Sequence, residues 1–509
     1  MRLNTRGVPS RSASALLLPF IVATAAAAQE PVVTLSLDEA IQLARQNNPD
    51  FLSQVNDAGV ADWAVREAYG ALLPGASASM GLSWQDAGNQ RFGIFTGDDL
   101  GIATTAGYYS SSYSLGLSYR LSGAALLGPS RARSLRDATR AGIDAAALAL
   151  VADITMRYIA VARAQDGVEL AEQELQRARQ NQTLAEARVS VGAAVPVELT
   201  QAEVETGRAE VGLLQARNLL DTERLRLMQA VGVASVDGLR LTTEFEVFDL
   251  GWDGPSLIAM ALERHPQLAA ARASEIAAET GVRVARTAYL PSLSLSAGLS
   301  GFTREATNEA FLLRQAADQA AGQAENCVFL NTLSAGLSTP LPGRPVDCSQ
   351  FVLSAEQRST ILDRNKVFPF SFSREPWSVS ASVSLPIFLG LTRERQVEEA
   401  RAAASDARLR ARAEQLRIRT EVETAFLNTV TAERSVELEE RNRQLAQEQM
   451  AIARERYRLG AASFMELLEA ETLLARAERA YLSAVYAFHE NIAALEAAVG
   501  RPLREPGDE

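Results

Sequence analysis

Apolar and polar residues alternate along Leu290–Ser300 (LPSLSLSAGLS). Leu293, Leu295, Ala297 and Leu299 share one side of an extended chain, and Ser292, Ser294, Ser296 and Ser300 share the other. A period of two marks a strand with unlike faces. The pattern returns at Ser378–Leu385, at Ser112–Leu121 and at Ala76–Trp84. Along Leu290–Ser300 the polar side is small and hydroxylated, not charged. Each segment is about 9–11 residues, the length a tilted strand needs to cross a bilayer. Any half-buried antiparallel sheet also alternates in this way, so the rest of the chain has to decide.

The rest reads as helix. Leu37–Asn48 is amphipathic and stops at Pro49. A second helix follows to about Gly70, and Pro74 leads into the first strand, expected over 74–85. The second strand is expected over 112–122, followed by a Gly/Pro turn at 123–129. A long helical hairpin then covers 129–231, with Ile143, Leu150, Ile154, Val161, Val168 and Leu175 at near-heptad spacing. A helix of some 60 residues is about 90 Å long, which argues for a coiled coil over a globular core. Val191, Gly192, Ala193 and Ala194 break it, and Pro196 opens the return helix.

The chain then repeats itself. Pro49 matches Pro266 and Pro74 matches Pro291 at an offset of 217. Gly192, Glu198, Glu203 and Gly232 match Gly460, Glu466, Glu471 and Gly500 at an offset of 268. The reading is therefore a tandem duplication. The first repeat covers 29–232, 233–255 is a linker, and the second repeat covers 256–500. Strands of the second repeat are expected over 291–301 and 377–387, with a long loop at 302–376 between them. Its helical hairpin covers 392–499, turning at Leu459, Gly460, Ala461 and Ala462, and 501–509 is a tail. Tyr481, Val485, Phe488, Ile492, Leu495 and Val499 alternate steps of four and three, a heptad seam.

Composition narrows the class. With 50 basic against 62 acidic residues the net charge is -12, which argues against a nucleic-acid partner. Residues 1–28 have a basic start, a short apolar run (Ala15–Ala23) and Ala26-Ala27-Ala28, the pattern of a secretory signal peptide. No other 18-residue apolar run is expected, and hence no spanning helix. Four membrane-length strands without such a helix point to a β-barrel. Four strands cannot close one, because the smallest membrane barrels have about eight. A barrel shared by symmetry gives eight strands from two chains, with no useful lumen, or twelve from three, with a pore. The fold class expected is thus mostly α with a small membrane β part. Long antiparallel coiled-coil helices form a trimeric α-barrel joined to a shared twelve-stranded β-barrel, four strands per chain.

No enzyme chemistry stands out. His265 and His489 lack Cys or His partners at metal-ligand spacing and are read as structural, so no metal or cofactor is expected. Cys327 and Cys348, the only cysteines, lie in the 302–376 loop and in an oxidising compartment most simply pair as a disulfide. That loop caps a pore, receives a ligand, or is tolerated decoration.

LSLDEAIQLARQNNPD (35–50), the duplication, AYLPSLSLS (288–296) and above all RYRLGAASFMELLEAE (456–471) together resemble the outer membrane factor (TolC-like) family over essentially the whole mature chain. The resemblance implies a homotrimer in the outer membrane of a Gram-negative cell, with its helical part in the periplasm. It implies the exit duct of a tripartite efflux pump or a type I secretion system. Its partners would be outer-membrane lipid, a periplasmic adaptor (membrane fusion protein) and an inner-membrane transporter. The adaptor would dock at the tips, Val191, Gly192 and Ala193 with Leu459, Gly460 and Ala461. Tyr457, Glu466 and Glu469 match the family's periplasmic gate motif, in which a tyrosine before the glycine and two acids after it ring the closed aperture. Ala462 stands where that motif can carry an arginine, so an arginine lock is expected to be missing. The rival classes are a periplasmic coiled-coil adaptor or scaffold, which would lack the membrane-length strands, and an adhesin, which would carry its strands at one chain end.

Overall fold

A computed structural model describes residues 34–88, 91–96, 99, 106–234, 239–249 and 251–503. The expected signal peptide at 1–28, ten residues between the first two expected strands and the end of the 501–509 tail lie outside them. In chain order the first elements are β1 (Thr34–Leu35), α1 (Leu37–Asn47), α2 (Pro49–Gly70) and β2 (Gly75–Gln85). Next come β3 (Arg91–Phe92), β4 (Phe95–Thr96), β5 (Tyr108–Leu121), α3 (Gly123–Ser190), α4 (Pro196–Val231) and β6 (Arg240–Leu241). The second series is α5 (Gly254–Arg264), α6 (Pro266–Arg286), β7 (Ser292–Ala306), α7 (Glu309–Gly336) and α8 (Ala355–Asn365). It ends with β8 (Ser373–Arg374), β9 (Ser378–Ser384), α9 (Thr392–Arg458) and α10 (Phe464–Val499). The order helix, helix, strand, strand, long helix, shorter helix thus occurs twice.

The described chain divides into two compact units. One comprises the residues through Leu52, Ala147–Leu257 and those from Glu421 onward; the other comprises Ser53–Ala146 and Ile258–Thr420.

The first unit is built from helices whose apolar seams meet. Ser36 caps α1 by accepting from Glu39 N, and the Glu39 carboxylate accepts from Ser36 N in return. Leu150, Ile154, Tyr158 and Val161 of α3 are buried with Leu227 and Val231 of α4, Tyr486 and Ala493 of α10, Leu35 and Leu241 of the paired strands β1 and β6, and Leu239 just before β6. The Tyr158 hydroxyl donates to the Leu35 carbonyl at 2.8 Å and accepts from Thr243 N at 3.1 Å, so it is satisfied although buried. Gly232 ends α4 at φ 83°; a Cβ there would stand 2.3 Å from the Asn47 carbonyl oxygen, so only glycine fits. The seam expected on α10 is buried at Phe488, Ile492, Leu495 and Val499 and half-buried at Tyr481 and Val485.

The second unit is organised by an antiparallel sheet, β2-β5-β7, with β9 and the short β8 both against the far side of β7. Register keeps like with like. Ser79 faces Ser114, Ser114 faces Ser300, Ser118 faces Ser296 and Ser296 faces Ser380. On the opposite side Met80 faces Tyr113, Leu115 faces Leu299, Tyr119 faces Leu295 and Leu293 faces Val383. Ser79–Ser114, Ser83–Ser110 and Ser296–Ser380 are hydrogen-bonded across strands at 2.6–2.8 Å. Among the described residues no strand pairs with the free edges of β2 and β9.

Four expectations change. The turn expected at 123–129 is helical. α3 starts at Gly123, directly after Ser122, whose hydroxyl accepts from Ala125 N, and Pro129 is carried inside the helix. The loop expected at 302–376 is largely structured. β7 and β5 run farther than expected, α7 has 28 residues capped by Asn308, and α8 has a Ser354/Gln357 capping box. Strand β9 stops at Ser384, short of 387. Finally, α3 does contain an 18-residue window of mean hydropathy 1.6, long and apolar enough to cross a membrane by length and composition. The same helix supplies Leu150, Ile154, Tyr158, Ile159 and Val161 to the buried core, and 39% of the apolar window is buried.

Candidate functional site: the two hairpin turns

Both turns lie in the first unit and share one local design. After α3, Gly192 has φ 75°; its N–H donates to the Val189 carbonyl at 3.0 Å and Ala193 N to the Arg188 carbonyl at 2.8 Å. After α9, Gly460 has φ 77°; its N–H donates to the Tyr457 carbonyl at 3.0 Å and Ala461 N to the Arg456 carbonyl at 2.7 Å. These are glycine-terminated helix ends. A Cβ at either glycine would meet nothing within 4 Å, so the left-handed backbone, not crowding, selects glycine. The next helix starts at once, with Pro196 at its first position on one side and Ser463 accepting from Glu466 N on the other. Val191, Gly192, Ala193, Leu459, Gly460 and Ala461 are all exposed.

Tyr457 is not exposed: it is 1% accessible. It packs against Phe464 (ring centroids 5.7 Å apart) within a cluster that includes Ala185, Ala202, Ala453, Leu467 and Ala470. The alanines let the two hairpins approach closely. The Tyr457 hydroxyl donates to Glu198 Oε2 at 2.9 Å. The Arg188 guanidinium lies 4.2 Å from the ring centroid and donates to the Tyr457 carbonyl and, at 3.2 Å, to the Ala193 carbonyl. Burial, then the hydrogen bond and charge of Glu198, push the phenol pKa up to about 12 against the opposing pull of Arg188. The neutral phenol is therefore a firm donor over the whole physiological range.

Glu466 is 2.5 Å from Arg456, which also donates to the Ala461 carbonyl at 3.4 Å, and Glu469 is exposed one turn further along α10. Of the three residues singled out by sequence, Tyr457 is thus tied to the other hairpin, Glu466 is tied to its own turn, and Glu469 stands in solvent. Position 462 is alanine, and the arginine that meets Tyr457 is Arg188, from across the junction. Arg188 and Glu198 are the residues that the motif alone did not single out. Their signal is in the duplication, since the offset of 268 pairs Arg188 with Arg456 as it pairs Glu198 with Glu466.

Farther from the turns, Asn181 Nδ2 donates to Glu471 Oε2 at 2.5 Å, and burial raises the Glu471 pKa more than Asn181 and Arg177 lower it. Arg177 and Glu478 form a largely buried pair at 2.5 Å. His265 Nδ1 caps α6 by accepting from Gln267 N at 3.2 Å, and His489 packs against Phe245 and Phe488. Cys327 and Cys348 are bonded, with Cα atoms 5.7 Å apart, and join α7 to the segment after it.

Comparison with known proteins gives one consistent result. A family model described as outer membrane efflux protein matches residues 40–233, 257–337 and 350–501. The chain is 29% identical over 269 residues to the pyoverdine export outer membrane protein OpmQ of Pseudomonas putida, covering 51% of this chain and 55% of that one. It is 30% identical over 182 residues to the cobalt-zinc-cadmium resistance protein CzcC of Cupriavidus metallidurans, covering 36% of this chain and 43% of that one. The chain thus spans about half the length of the curated relatives it matches. The fold is that of the CmeC outer membrane channel of Campylobacter jejuni, with a TM-score of 0.65 at 18% identity over 92% of this chain and 87% of that one.

Proposed function

The chain belongs to the outer membrane efflux protein family, and from that premise we propose that three copies close a twelve-stranded barrel and act as the passive exit duct of a tripartite efflux pump or a type I secretion system. The observation that carries the reading is the sheet. Its four long strands share one serine/glycine-rich face and one Leu/Val/Tyr face, and among the described residues its two edges are unpaired. Open edges are not tolerated in lipid, so the sheet closes with copies of itself. The hydroxylated face then lines water and the apolar face meets the membrane. The helical unit supports the same assembly. Val197, Val204, Val211 and Leu225 of α4, and Leu438, Leu445 and Ile452 of α9, are exposed and fall on seven-residue spacings, seams suited to helices of neighbouring copies.

The Arg188–Tyr457–Glu198 junction acts as the latch of the closed tip. It ties the second hairpin to the first within one chain, and opening requires its release. The exposed turns at Val191–Ala193 and Leu459–Ala461 receive a periplasmic adaptor. The lining is mostly serine and glycine, with Arg120 and Arg304 on the same face toward the two ends of the sheet, and the long hydroxylated middle sets no strong selectivity, consistent with a duct whose cargo is chosen by an inner-membrane transporter. The duct needs no cofactor and performs no catalysis.

The test is single-channel recording of the purified protein in planar bilayers, with its mass in detergent measured in parallel. A trimer that opens a small pore is expected. A protein that stays soluble without detergent and forms no pore overturns the reading in favour of a periplasmic scaffold.

A further inference from the structure

The apolar face of the sheet has one flaw. On β7 the alternation Leu293, Leu295, Ala297, Leu299 gives way to Gly301, Thr303 and Glu305, and on β5 Ser111 interrupts it between Tyr113 and Tyr109. At about 3.4 Å per residue and a tilt of ~40°, Leu293–Leu299 covers roughly 18 Å, short of the ~25 Å apolar band of a membrane barrel. The gap lies at the end away from the long helices, toward the strand connections.

The chain covers this flaw with its own segment. Val367–Phe372 folds back onto the apolar side of β5 and β7. Phe368 stacks on Tyr109 (5.4 Å), and Phe372 meets Tyr113 edge-on (4.8 Å). The Ser111 hydroxyl bonds to Thr303 Oγ1 at 2.6 Å and donates to the Pro369 carbonyl at 2.6 Å. Glu305 Oε2 accepts from Phe368 N at 2.9 Å, and Asn365 pairs with both backbone groups of Ala306. Ser111 and Thr303, at positions that would face hydrocarbon, are 2% and 1% accessible. With the Phe368 N–H and the Pro369 carbonyl bonded inward, the segment presents Phe370 outward, 71% exposed.

We propose that Val367–Phe372 is a membrane shelf, a strand-capping segment that replaces the missing apolar part of the barrel wall and inserts Phe370 into the outer leaflet. The occupant of its exposed face is bilayer lipid, because the shelf continues the apolar strand face without a break and hides the polar side chains that lipid would not accept. The proposal rests on the duct reading, since it requires the strand face to meet the membrane.

Site-directed spin labelling tests both separately. Cys327 and Cys348 are bonded to each other, so a label goes only to a new cysteine. Phe370→Cys and Val383→Cys, the second on the outward face of β9, are labelled in the full-length protein in phosphatidylcholine vesicles. Collision with oxygen, which partitions into hydrocarbon, is compared with collision with a polar nickel chelate. At both sites oxygen should win several-fold. Lipid exposure at 383 with chelate exposure at 370 overturns the shelf and leaves the duct. Lipid exposure at 383 with neither agent reaching 370 also overturns it, in favour of a protein partner. Chelate exposure at both sites overturns the barrel and the shelf with it.

Discussion

The two hairpin turns are copies of one another, yet only one holds its partner. Each carries an arginine at the end of the incoming helix and a glutamate in the first turn of the next: Arg188 and Glu198 in the first copy, Arg456 and Glu466 in the second. In the second copy these two charges meet each other at 2.5 Å and close their own turn. In the first they part to either side of Tyr457, the arginine over its ring and the glutamate on its hydroxyl. The difference traces to one position. Where the second copy has Tyr457, the first has Val189. The second copy supplies an aromatic donor, and the first, with valine there, has its two charges placed to receive that donor across the junction.

The comparison can be broken most severely by making the turns alike. Tyr457→Val removes the ring and the donor together. A hydrogen bond to a charged acceptor contributes about 1.5–3 kcal/mol, so the closed-to-open ratio should fall roughly 10- to 100-fold, seen as raised basal conductance in planar bilayers. The second break is a matched pair of substitutions. Arg188→Ala should raise basal conductance about tenfold, because it frees the Tyr457 carbonyl and ring, whereas Arg456→Ala, which loosens only an exposed pair within its own turn, should change it by less than about twofold. Equal effects would remove the functional asymmetry. Titration sharpens the same point. The Tyr457 phenol has a higher pKa folded than unfolded, 10.0 rising to about 12. The latch's contribution is therefore complete below pH 10 and is lost as pH rises through about 12. Basal conductance should be flat from pH 7 to 9, and Tyr457→Phe should abolish the alkaline rise. The smallest effect belongs to the acids on the second turn. The double substitution Glu466→Ala/Glu469→Ala should weaken block by divalent cations added from the tip side while leaving the unblocked conductance within about twofold, because Glu466 is already paired to Arg456.

Much of this was legible in sequence, for identifiable reasons. Strands facing two different solvents must alternate, so Leu293–Leu299 and Val379–Val383 announced themselves. Seams of coiled helices must repeat, so Leu150, Ile154, Phe488 and Ile492 did too. The glycines of the turns were legible because only a left-handed residue ends two helices so abruptly. What stayed hidden depended on contacts between residues far apart in the chain. Arg188 sits 269 residues from Tyr457, and nothing local to it distinguishes it from the other surface arginines of α3. The 302–376 segment was hidden for another reason. α7 is rich in alanine and glutamine with apolar residues on several sides, so it shows no clear stripe, and its helix is recognisable only by its cap and length. Pro129 was misread because proline near a helix start is compatible with the helix, while its neighbours Gly123 and Gly128 looked like a turn.

The serine pairs of the sheet bear on friction. A hydroxyl pointing alone into a channel offers a passing solute both a hydrogen to accept and a lone pair to donate to. Where Ser79 bonds Ser114, Ser83 bonds Ser110 and Ser296 bonds Ser380, each pair directs one of its two hydrogens along the wall instead of into the bore. The wall remains wettable but grips less. In the duct proposed above, short dwell times at the lining matter more than affinity, and mutually bonded hydroxyls are a way to build a polar surface that does not hold on.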